Sequence, residues 1–138
     1  MSNADGFVRS RVEPSSATAG LALGDLLVLA GFLTLGSMNH GFSPVANPGR
    51  IAGTIAPFLV GWVVAALASG AYAPDATRTV TGAVLRAAAT WIPAAAIGLT
   101  LRSTGFFHGD SPVTFILVVS STGLLAFSAW RGLVAYLR

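Results

Sequence analysis

Four apolar runs, each about as long as a bilayer core is thick, alternate with short segments rich in proline, glycine and polar residues. That alternation predicts an all-α chain of four membrane-crossing helices. The first run, residues 21–39, is LALGDLLVLAGFLTLGSMN. Its nineteen residues span about 28 Å as a helix, and Asp25 is its only charge. Starting the helix at Asp25 would leave about 22 Å, too short to cross, so the carboxylate is expected about one turn inside.

The second run, residues 51–70, is IAGTIAPFLVGWVVAALASG and carries no charge at all. Pro57 is expected to kink this helix rather than end it, because neighbouring groups can satisfy the carbonyl it frees. The third, residues 83–101, contains Arg86 near its start and Pro93 at its middle. The fourth, residues 112–137, is introduced by Asp110 and Ser111 ahead of Pro112, a local helix start. Residues 1–20 are polar and are expected to form a flexible tail, with residues 21–138 as a single domain. No small-residue cleavage site follows the first run, so it does not resemble a removable signal peptide.

Composition agrees with a lipid environment. The chain is 54% hydrophobic and 9% charged, against roughly a quarter charged in soluble domains, and its mean hydropathy is +0.73. A soluble fold of 138 residues would leave too much apolar surface in water. All eight basic residues are arginines, and the net charge is +3. They are scattered singly, without the basic stripe that nucleic acid requires, so no nucleic-acid partner is expected. There is no cysteine, which excludes disulfide and thiolate chemistry.

Four crossings put both termini on one side. Arg9, Arg11, Arg78, Arg86, Arg131 and Arg138 fall on that side, and Arg50 and Arg102 on the other. The positive-inside rule therefore predicts cytoplasmic termini and a multi-pass protein of the cell membrane.

Lipid does not drive helices together, so packing depends on small residues and polar contacts. Gly53, Pro57, Gly61, Ala65 and Ser69 recur every fourth residue in the second run, and Thr90, Ala94 and Gly98 do so in the third. These stripes form either a helix-packing seam or an apolar groove. Trp62 and Trp91 are expected deep in the bundle, as core or beside a shared apolar ligand such as a lipid or pigment. Trp130 reads as an interfacial anchor.

An unpaired acid in hydrocarbon is costly, which predicts an ion pair between Asp25 and an arginine of similar depth. Arg131 is favoured because it lies between Trp130 and Gly132, and Arg86 is the alternative. On the far side stand Asn39, His40, Arg50, Arg102, His108 and Asp110. Two histidines on separate linkers fall below a metal motif. Phosphate loops, nucleophile elbows and paired catalytic acids are absent from the sequence, so neither a catalytic residue, a metal nor a cofactor is expected.

An ordered set of residues resembles an uncharacterised family of small integral membrane proteins, a domain of unknown function found in haloarchaea and actinobacteria. The set is Gly24-Asp25, Gly36, His40-Gly41, Ala56-Pro57-Phe58-Leu59, Gly61-Trp62, Gly70-Ala71-Tyr72, Thr90-Trp91, Pro93, Gly98, Arg102 and Trp130-Arg131. The resemblance implies a four-helix membrane fold and supplies no activity. Members are often more basic near the first outer loop, where this chain has Ser37-Met38-Asn39.

The expected function is accordingly a non-enzymatic structural or accessory bundle that packs with itself, with a larger membrane protein or with apolar lipids. The alternative is a small transporter or channel subunit using Asp25 with Arg131 or Arg86 at a cytoplasmic mouth.

Overall fold

The computed structural model describes residues 12–104 and 112–138. Four helices follow one another: α1 Ser16–Asn39, α2 Pro48–Ser69, α3 Val80–Arg102 and α4 Val113–Leu137. All four are long and apolar enough to cross a membrane. At 1.5 Å per residue each extends roughly 33–38 Å, slightly more than a typical hydrocarbon core.

Three helices begin earlier than hydropathy predicts, two because a polar side chain that looks like linker acts as a cap and one because a proline opens it. The hydroxyl of Ser15 accepts from the backbone N–H of Thr18, so the polar stretch from Ser16 onward is already helical. Thr79 does the same for Gly82 N–H and opens α3 at Val80. In α2, Asn47 is the cap and Pro48 takes an early helical position where its missing N–H has no cost. The fourth helix begins one residue late, since Pro112 is itself the extended cap residue and Val113 the first helical one. Asp110 and Ser111 lie outside the described residues.

Both α2 and α3 run through their internal prolines, Pro57 and Pro93, without interruption. Ahead of α1, Val12 forms an isolated parallel bridge with Tyr72, and Glu13 N–H donates to the Tyr72 carbonyl at 2.8 Å. The described end of the expected flexible tail is therefore tied to the α2–α3 linker.

The helices form a closed ring in which α1 packs on α2, α2 on α3, α3 on α4, and α4 returns to α1. Buried positions recur every four residues in α1, at Leu21, Asp25, Leu29 and Leu33, and in α4 at Val119, Gly123, Phe127, Arg131 and Ala135. These two helices thus each offer a narrow stripe with one charged member. Leu23, Leu27, Leu85, Leu117 and Leu125, among others, are exposed outside this ring, as expected where lipid replaces water as solvent.

Candidate functional site

Asp25 takes the place of a leucine in the core stripe of α1, and it is 1% exposed. Arg131 occupies the matching stripe of α4 and is fully buried. The two meet as a bidentate pair, Arg131 Nε donating to Oδ1 at 3.0 Å and Nη2 to Oδ2 at 2.6 Å. The third nitrogen, Nη1, donates to the Ala71 carbonyl at 2.6 Å. Two further donors complete the carboxylate: Trp130 Nε1 reaches Oδ1 at 3.1 Å and the Tyr72 hydroxyl reaches Oδ2 at 2.6 Å. Trp62 Nε1 then donates to the Tyr72 oxygen at 2.9 Å.

The network joins α1, α2, α4 and the α2–α3 linker through groups whose buried polar atoms each have a partner, the condition under which buried charge is tolerable. Its position follows from local folding. Gly70 ends α2 in the left-handed conformation, φ 73°, which turns the chain so that Ala71 and Tyr72 face inward. The last carbonyls of a helix are its negative pole, and two arginines converge there.

Arg86 is the second of these, and it does not pair with Asp25. Its Nη1 donates to the Gly70 carbonyl at 2.7 Å, and its fork takes Asp75 at 3.2 and 3.1 Å. Asp75, eleven residues earlier in the same linker, is the nearer acid and lies outside the helices. These bonds and the Arg86 charge hold the Asp75 carboxyl below its ordinary value of 3.8. Burial, reinforced by the Asp25 carboxylate, pushes the Tyr72 phenol above its ordinary value of 10.0.

Trp130 is half-buried, and its indole N–H is given to Asp25. The room for its indole comes from Gly24, where a Cβ would lie 1.9 Å from the ring. The small-residue stripes face one another across α2 and α3. A Cβ on Gly61 would stand 2.3 Å from the Ala94 carbonyl oxygen, and one on Gly98 would stand 2.4 Å from the Phe58 ring. Pro57, Ala65 and Ala94 are buried in this contact, and Gly53 is partly exposed near its end. The Ser69 and Thr90 hydroxyls meet at 2.6 Å, and Thr90 donates onward to the Arg86 carbonyl. The stripe is therefore a closed seam.

Trp62 and Trp91 do not share a ligand space, because Phe127 fills it. Its ring stacks on Trp62 at 4.2 Å between centroids and lies 5.3 Å from Trp91. Phe58 and Phe32 pack on Trp91 as well. This aromatic layer separates the ion pair from the other end of the bundle.

At that other end an open cavity of about 740 Å³ lies among all four helices, lined by Asn39, His40, Arg50, Thr54 and Arg102 near the helix ends and by Phe32, Leu33, Phe115 and Val119 farther in. Among the described residues no three metal-ligating side chains gather. His108 and Asp110 lie outside the described residues.

Fold and site together define a small multi-pass membrane protein, an all-α four-helix bundle with a charged pair locked in its interior. Residues 22–134 match the family described as "Protein of unknown function (DUF3054)", and the chain belongs to it. Neither a curated protein nor a solved structure matches the chain.

The sequence singled out Asp25 and Arg131 but missed Tyr72, Trp130 as a donor, and Asp75. The available signals were a tyrosine directly after a helix-ending Gly-Ala and a lone acid in the linker nearest Arg86.

Proposed function

We propose that the chain is a non-enzymatic accessory bundle of the cell membrane, with both termini cytoplasmic, whose Asp25–Arg131 pair acts as a bolt between its first and last helices. One observation carries this reading: the carboxylate accepts four hydrogen bonds, and the aromatic layer of Trp62, Trp91 and Phe127 stands between it and the open end. A site that takes up a solute needs a route to water, whereas a bolt needs satisfied partners and exclusion. Six arginines on the terminal side against Arg50 and Arg102 on the other support the orientation. Exposed leucines and valines around the ring fit lipid, a second copy or a larger membrane protein.

The test is a double-mutant cycle of Asp25→Asn and Arg131→Gln, read as unfolding free energy and assembly in detergent or lipid. Each single change is expected to cost roughly 3–5 kcal/mol, because it strands a buried partner. The double should cost clearly less than their sum, and strictly additive losses would defeat the bolt.

A second reading, a small transporter or channel subunit, draws on the cavity that enters from the loop end. It predicts that Asp25→Asn assembles normally and alters solute flux in liposomes.

A further inference from the structure

We propose that the stretch ahead of α1, residues 12–15, is a latch: it holds Tyr72 down over the Asp25–Arg131 pair, and its release opens a path for water to the carboxylate from the end of the bundle where α1 begins. The proposal rests on the reading of that pair as a bolt and adds to it the element that controls access.

Local sequence shapes the latch. Pro14 disfavours the helical region for the residue before it, so Glu13 stays extended, and the N-cap Ser15 is extended as well, at φ −149° and ψ 163°. The chain therefore arrives at α1 in the conformation that pairs with another extended segment. Its partner is the α2–α3 linker: Val12 bridges Tyr72 in parallel, and Glu13 N–H donates to the Tyr72 carbonyl at 2.8 Å. Val12 is half-buried and Glu13 exposed, so the tie at Glu13 is made by its backbone.

Tyr72 carries the connection inward. Its carbonyl is held by the latch, while its hydroxyl, at the far end of the side chain, donates to Asp25 Oδ2 at 2.6 Å and accepts from Trp62 Nε1 at 2.9 Å. The preceding carbonyl, of Ala71, accepts from Arg131 Nη1 at 2.6 Å. Two successive linker residues thus touch both members of the ion pair, and the latch fixes the backbone of one of them. Lifting that backbone draws a donor away from the carboxylate. The layer of Trp62, Trp91 and Phe127 stands between the pair and the loop end, which leaves the linker side as the route by which water arrives.

The order of strengths makes the latch a device rather than one more tie. A backbone hydrogen bond at the end of a bundle contributes far less than a buried bidentate ion pair, and local opening starts at the weakest unit. The latch therefore opens while the helices stay packed. By linkage, whatever binds residues 12–15 in their released form loosens the bolt, and whatever breaks the bolt loosens the latch.

The chain has no cysteine, so Ala71→Cys, at a position 1% exposed, supplies a single thiol. Its reaction with a charged, water-soluble maleimide in lipid nanodiscs reports opening of the linker. Glu13→Pro deletes the N–H that reaches Tyr72 and should speed this labelling about five- to tenfold, the effect of one backbone hydrogen bond. Glu13→Ala keeps the N–H and should label at the rate of the chain with Glu13. Ala95→Cys, buried in α3, should stay unreactive in all three backgrounds. On the unsubstituted chain, hydrogen exchange reads the same event: the bonded amides of Glu13, Ala73 and Ala76 should open together, ahead of those of α2 and α4.

No acceleration by Glu13→Pro, equal acceleration by Glu13→Ala, or a matching rise at Ala95→Cys would each overturn the latch, as would exchange of the Glu13 amide independently of the linker amides. Asp25 and Arg131 are unchanged throughout. Additive losses in the charge-pair cycle with the labelling response intact therefore sink the bolt alone, and the converse sinks the latch alone.

Discussion

Gly24 lacks a side chain because the Trp130 indole occupies the space where one would be. The Gly24-Asp25 pair therefore works as a unit: the glycine admits the ring and the acid receives its N–H. Gly24→Ala should force the indole off Asp25 and cost about 1–3 kcal/mol, the usual penalty of overpacking, whereas Gly31→Ala on the same helix meets nothing within 4 Å and should be near neutral. Unfolding free energies in one lipid would rank them. Tyr72 makes a second prediction at this scale. Its folded phenol lies above the ordinary value of 10.0, so its contribution is complete below that pH and is lost as pH rises through the raised folded value. In a Tyr136→Phe background Tyr72 is the only tyrosine. Tyrosinate absorbance should then appear well above pH 10 in the folded protein and shift down on unfolding. Tyr72 itself was hidden from sequence reasoning because a linker tyrosine declares no partner until Gly70 turns the chain inward.

Between elements, the α2–α3 seam is set by backbone approaching backbone. A methyl on Gly61 would collide with the Ala94 carbonyl, which cannot rotate away, whereas one on Gly98 would meet the ring of Phe58. Gly61→Ala should therefore destabilise more than Gly98→Ala, with Gly61→Ala at about 1–3 kcal/mol or above; a reversed order in unfolding measurements would reject the seam. Most of this level was legible. The apolar runs named all four helices because lipid demands long uncharged segments. The every-fourth spacing named the seam residues, although which stripe faced which was fixed only by packing. Helix starts fall earlier than the apolar runs at Ser16, Pro48 and Val80, since a capping serine or threonine, or a proline in the first turn, has the same hydropathy as a loop residue. The loop-end cavity left no trace in the sequence, because it depends on how four helix ends diverge.

For the molecule as a whole, the bolt links the first helix to the last and closes a ring that the three short linkers alone leave open. Pairing of Asp25 with an α4 arginine was readable from matched depth. Its orientation was not, and that orientation makes a prediction. Exchanging the charges, Asp25→Arg with Arg131→Asp, preserves an ion pair on paper. It also aims the Trp130 and Tyr72 donors at a guanidinium, which accepts no hydrogen bond. The exchange should therefore fail to restore the unfolding free energy that either single change loses, and recovery would mean that those two donors contribute nothing. One more property follows from the side-by-side geometry of Asp25 and Arg131. A lone ion moved through a membrane field does work of about 2.3 kcal/mol per 100 mV, but two opposite charges that travel together do almost none. So long as Asp25 and Arg131 move as one unit, a change in membrane potential does almost no work on the pair.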